Sequence, residues 1–110
     1  MTEVAYAPPP PGMLSEQIDL PEHGMALGLL HLAGAGLRVC VWDGGQMRHM
    51  SPARASRWSA ELAEGPFGAS FAPVSAALET LSNRAVAIEL VARVRRNAPL
   101  LSEMQVEGNA

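Results

Sequence analysis

Cys40 and His49 are the pair of side chains whose types suit nucleophilic chemistry. They flank the turn sequence Asp43-Gly44-Gly45, so a hairpin there carries thiol and imidazole toward each other. A nucleophilic cysteine needs a base in reach and a third group that orients the base. No such third group is identifiable, and a lone cysteine otherwise behaves as a small apolar side chain. The expectation is a core cysteine and no catalytic residue.

His23, His31 and His49, with Cys40, include the ligand types of a zinc site. Structural zinc sites use close pairs such as CxxC or HxxxH. Neither spacing is present, so no metal and no cofactor is expected. Gly34-Ala35-Gly36 and Gly44-Gly45 match no phosphate-loop pattern, and no helix starts directly after either; turn glycines suffice. Glu61, Glu79 and Glu89 could still converge in space, which keeps an enzyme as a third functional reading.

Arg84, Arg93, Arg95 and Arg96 make one stretch basic. Cations in a last helical turn complement the helix dipole, and that accounts for them. The alternative is a nucleic-acid-associated regulator using Arg84–Arg96, as the second helix of a helix-turn-helix. A reading helix presents polar groups near its N-terminus, whereas Arg84-Ala85-Val86-Ala87-Ile88 has the pattern of a core segment. The chain also carries a formal charge of −3, without the overall field of a nucleic-acid or anionic-membrane binder. All eight basic residues are arginine, which codon usage alone explains.

The elements that position these residues follow from periodicity. The chain of 110 residues is 48% apolar and 17% charged, which indicates one small folded domain. Met1–Gln17 contains Pro8–Pro11, a short polyproline II rod, and shows no periodicity. It reads as a solvated tail; the sharper reading, a proline-rich ligand for an aromatic groove, lacks a flanking cation. No signal peptide is evident: Glu3 stands where basic residues belong, and there is no apolar core. Nor does any run reach the roughly 18 apolar residues of a membrane span. A cytoplasmic location is expected.

Met25–Ala33 is a short apolar run between glycines and reads as a strand. Leu37–Asp43 alternates Leu37, Val39 and Val41 with Arg38, Cys40 and Trp42 and is a strand. Gln46–Met50 returns; a three-residue loop puts Met47 and His49 with Leu37 and Val39, a two-residue loop with Cys40 and Trp42. Ser51-Pro52 opens a helix that runs to Glu64, with Ala55, Trp58 and Leu62 inward and an Arg57–Glu61 pair on the wet face. Phe67 and Phe71, in the connector, are expected to fill core gaps.

Val74 begins the most apolar stretch. Val74, Leu78, Leu81, Ala85, Ile88 and Ala92 fall on one helical face. The helix is expected to end at Asn97-Ala98-Pro99 and could break at Ser82-Asn83, with a last segment docked through Leu100 and Leu101. The predicted fold is α+β: a small antiparallel β-meander packed on two or three helices, the last one long and apolar. The predicted organisation is a proline-rich tail over residues 1–17, a single domain over 18–101, and a C-terminal tail over 102–110.

Val86, Leu90 and Val94 form a second stripe beside the main one, which the hairpin or another chain must cover. The expected function is therefore non-enzymatic: a small protein–protein interaction module, an inhibitor or accessory protein of the size encoded by phages and mobile elements. It would act as a homodimer and occlude a protein partner. Its surface would comprise Trp58 with Arg54, Arg57 and Glu61, or Val86, Leu90 and Val94 with Arg93 and Arg96.

Overall fold

Alternation in the central strand sets the architecture. The computed structural model describes the backbone of residues 6–108 and the side-chain environments of residues 6–97. The elements are β1 (Ser15–Leu20), a 3-10 turn (Pro21–His23), β2 (Met25–Leu32), β3 (Gly36–Asp43), β4 (Gln46–Met50), α1 (Pro52–Glu64) and α2 (Ala72–Gly108). The four strands form one antiparallel sheet in the order β1-β2-β3-β4. The fold is thus α+β, and the described residues hold two α-helices.

Leu27, Leu29, Val39 and Val41 alternate onto the helix-facing side of the sheet and are closed to solvent. They meet Ala55 of α1 and Val74, Ala77, Leu78, Leu81 and Ala85 of α2. The buried face of α2 is the predicted stripe, and Ile88 continues it. Asp43 pairs with Gln46 across Gly44 and Gly45, whose φ values of 61° and 122° are cheap only for glycine. This two-residue loop sets the register: Arg48 and Met50 face the helices, while Met47 and His49 face outward beside Trp42 and Cys40.

Ser51 caps α1, its Oγ accepting from the Arg54 N–H at 3.2 Å, with Pro52 in the first turn. α1 and α2 are clamped by a buried serine pair. Ser59 Oγ donates to the Ser75 carbonyl at 2.8 Å, and Ser75 Oγ donates to the Ser59 carbonyl at 2.9 Å. Small residues let the helices approach, and the hydroxyls satisfy backbone carbonyls there.

Several expectations are corrected. α2 does not break at Ser82-Asn83: Ser82 is buried and its Oγ donates to the Pro52 carbonyl at 2.7 Å, so the hydroxyl serves α1 instead of capping a new helix. Nor does α2 stop before Pro99; it runs to Gly108, since one proline forfeits one helical bond and the residues after it favour helix. The docking expected of Leu100 and Leu101 lies outside the described side chains. Phe67 is 67% exposed and Phe71 also faces solvent; Phe71 tilts against the His23 ring at 6.1 Å instead of entering the core. Among the described residues the one ion pair is Arg84–Glu16, at 2.6 Å; Arg57 and Glu61 make none.

The largest correction concerns the stretch read as a tail. β1 starts at Ser15, within that stretch. It carries a one-residue bulge between Ser15 and Ile18, with Glu16 at φ 49°. Before it, Tyr6–Leu14 lies along the sheet face away from the helices. Trp42 Nε1 donates to the Ala7 carbonyl at 2.7 Å, and Tyr6 Oη donates to Asp19 Oδ1 at 3.0 Å. Pro9 and Leu14 are buried. A turn with Gly12 at φ 81°, closed by the Met13 N–H to the Pro10 carbonyl at 3.2 Å, feeds the segment into β1. Ala26 and Cys40 face this side and are fully buried. The chain is therefore layered as strap, sheet and helices.

Candidate interaction surfaces

α2 after Ala85 holds five of the nine predicted site residues. At about 1.5 Å per residue α2 is roughly 55 Å long. The radius of gyration is 18.3 Å, against about 13 Å for a compact domain of this length, so the helix reaches past the sheet. Residues 93–97 are all exposed.

Val86, Leu90 and Val94 are 56%, 57% and 53% exposed, and Val91 is 48% exposed. Neither the hairpin nor α1 covers them. At about 100° per residue these four, with Ala87, occupy an arc of roughly 140° on the side of α2 turned away from the core. Arginines border the arc. On the α1 side a shallow groove of about 280 Å³ is lined by Pro52, Val86, Glu89, Leu90 and Arg93. On the other side a groove of about 450 Å³ is lined by Arg84, Ala87, Ile88, Val91, Ala92 and Arg95. Arg96 lies about 60° further round than Arg93, in line with the core-facing positions Leu78 and Ala85. The basic residues are therefore divided around α2, and Arg84 is engaged by Glu16. They present no single basic face to a nucleic-acid backbone.

The second predicted patch is assembled only in part. Trp58 and Arg54 line a groove of about 530 Å³ with Met25, Val41, Asp43, Arg48, His49 and Met50, between α1 and the β4 edge. Trp58 is half-buried and packs on the core. Arg57 and Glu61 are exposed on α1 and do not line this groove.

The residues that could do chemistry are placed as follows. Cys40 and His49 are cross-strand partners on the outer face. Burial pushes the Cys40 thiol up to about 11, with Arg38 opposing weakly, so at neutral pH it carries its proton. Arg38 Nε donates to His49 Nδ1 at 3.2 Å, which turns the imidazole toward the guanidinium. His31 lies on the opposite face of the sheet, paired with Leu37. His23 sits in the 3-10 turn, its Nε2 2.9 Å from the Ser70 carbonyl. No cluster of three or more metal-ligating side chains occurs among the described residues. Glu79 and Glu89 are about 15 Å apart along α2. Glu89 is committed: its Oε1 accepts from the Leu37 N–H at 3.0 Å.

Sequence reasoning missed Glu89 as a structural tie and Trp42 as a donor to the strap. The signal for the second was present in Pro11-Gly12, a turn sequence that folds the proline run back. Among the described residues no helix is long and apolar enough to cross a membrane. No family model, no curated protein and no solved structure matches the chain.

Proposed function

We propose that this chain is a non-enzymatic interaction module that docks a protein partner through the outward arc of α2. The observation that carries this reading is the arc itself: Val86, Leu90, Val91 and Val94 exposed together on a projecting helix, with arginines on both borders. Contiguous apolar surface of this kind marks a contact. The arginine borders select the partner's chemistry, an amphipathic helix whose apolar stripe is flanked by Asp or Glu. Docking would occlude that helix from its other contacts, which is how an inhibitor or accessory protein acts.

Homodimer formation through the same arc is a second reading, favoured by the self-complementary ridge Val86, Leu90, Val94 with a groove on each side. A second copy brings its own arginine borders, so like charges oppose this pairing at low salt.

The test uses a synthetic amphipathic helix with a leucine stripe and glutamate flanks, alongside a lysine-flanked version. The glutamate peptide is expected to bind and to weaken as salt rises, while the lysine peptide does not bind. Leu90→Asp, at an exposed position, leaves the far-UV spectrum unchanged and abolishes binding. Equal binding of both peptides, or undiminished binding to a folded Leu90→Asp variant, overturns the reading.

A further inference from the structure

We infer that the outer face of the sheet around Trp42 is a polyproline-binding groove, filled in cis by Ala7–Pro11 and able to take a proline-rich segment of another protein in its place. It uses different residues from the α2 arc and is independent of that reading.

Ala7, Pro8, Pro9 and Pro10 each precede a proline, which confines them to extended or polyproline II backbone. Such a rod has no internal hydrogen bonds and leaves its carbonyls free. Trp42 meets it as aromatic grooves meet proline-rich ligands, with the indole N–H donating to the Ala7 carbonyl at 2.7 Å. Pro9 is buried on the same face. The floor beside Trp42 is Ala26, its cross-strand partner, fully buried on this face. Gly28, further along β2, lies under Leu14 and Ser15, where a methyl group would be 2.8 Å from Leu14 Cβ and 3.1 Å from the Ser15 carbonyl. The end of the groove is set by Asp19, whose Oδ1 accepts from Tyr6 Oη at 3.0 Å and from Gln17 Nε2 at 2.8 Å.

Two features make the occupant exchangeable. Among the described residues Tyr6–Pro11 makes no backbone–backbone hydrogen bond to the sheet, so lifting this part breaks no ladder bond. The indole reads a carbonyl, not a side chain, so the donor accepts any polyproline II segment of suitable length. Such segments lose little entropy on binding. The tethered strap competes at an effective concentration of about millimolar. A foreign segment therefore binds weakly to the native chain and more tightly when the strap is weakened.

The experiment titrates the ¹⁵N-labelled full chain with a peptide of the sequence Ala-Pro-Pro-Pro-Pro-Gly-Met, following the Trp42 indole N–H with Trp58 as internal control. A Gly-Ser peptide of equal length is the reference. The proline peptide is expected to shift Trp42 saturably, at about five-fold or more lower concentration in Pro9→Ser than in the native chain, since a lost contact of about 1 kcal/mol corresponds to that factor. The Gly-Ser peptide leaves Trp42 unmoved. Tyr6→Phe, which deletes only the hydroxyl contact to Asp19, provides a milder strap variant if Pro9→Ser is poorly folded. No Trp42 shift in either folded strap variant, or equal shifts from both peptides, overturns the proposal. So does a Trp42 resonance that moves with protein concentration but not with peptide, which assigns the groove to a second copy's strap.

Discussion

Cys40 shows how little a residue's type says about its chemistry until its surroundings are known. It has a histidine directly across the ladder, yet burial raises its thiol to about 11. Alkylation of the native chain at pH 8 should run about two orders of magnitude slower than for an exposed cysteine, because so little thiolate is present. A maleimide or iodoacetamide time course checks this, and unfolding should restore ordinary reactivity. The same shift sets a stability slope. The native thiol holds its proton where the unfolded thiol has released it, so Cys40's contribution is intact below about pH 9 and is lost as pH rises toward about 11. The decline should not exceed about 1.4 kcal/mol per pH unit. Tyr6 also titrates high, from burial and its bond to Asp19, so the Cys40 part is isolated by comparing urea unfolding of the native chain with Cys40→Ala. The Ser59–Ser75 pair makes a second residue-scale case. Ser59→Ala leaves the Ser75 carbonyl without its hydroxyl partner and should cost about 1–3 kcal/mol. The double variant with Ser75→Ala should cost less than the sum of the singles, because the hydroxyls share one network.

At the scale of elements, the strap and its floor are the feature that composition conceals. Gly28 to Ala places a carbon against Leu14 Cβ and the Ser15 carbonyl, neither of which is the free end of a flexible side chain. Strap and strand must part, at a cost of about 1–3 kcal/mol measured by chemical denaturation. The lifted strap should also speed alkylation of Cys40. The sequence made β3, β4 and α1 legible because alternation, Gly44-Gly45 and Ser51-Pro52 are local signals with local causes. The inward stripe of α2 was legible for the same reason. β1 was not: Ser15, Glu16 and Gln17 are exposed, and the bulge at Glu16 breaks the alternation that would mark a strand. Proline content spoke for a solvated tail, while what holds the segment is a tryptophan 35 positions away in the chain. Phe67 misled in the other direction, since aromatic type argues for burial, yet the connector leaves the ring in solvent. Of the candidate surface, the apolar stripe of α2 was legible from spacing. The division of arginines between its flanks needed the orientation of α2 against the sheet, which no local pattern encodes.

For the whole molecule, the question is what a domain with one projecting helix does at different concentrations and salt. The core is complete without the outward arc of α2: Leu78, Leu81 and Ala85 are buried against the sheet and α1, while Val86, Leu90 and Val94 contribute nothing to that packing. Replacing an outward residue should therefore change association without changing the unfolding of the monomer. If copies pair through this arc, pairing is apolar in origin and opposed by arginines on both borders. Salt screens the repulsion and leaves the apolar term intact. Self-association should then strengthen as salt rises from about 0.05 to 0.5 M, the reverse of what the acid-flanked peptide shows. Sedimentation equilibrium across that range decides the sign. Where a dimer forms, its melting temperature should rise with protein concentration, because unfolding is coupled to dissociation. Leu90→Asp should remove both dependences and leave the melting temperature of the dilute monomer within a few degrees of the native value.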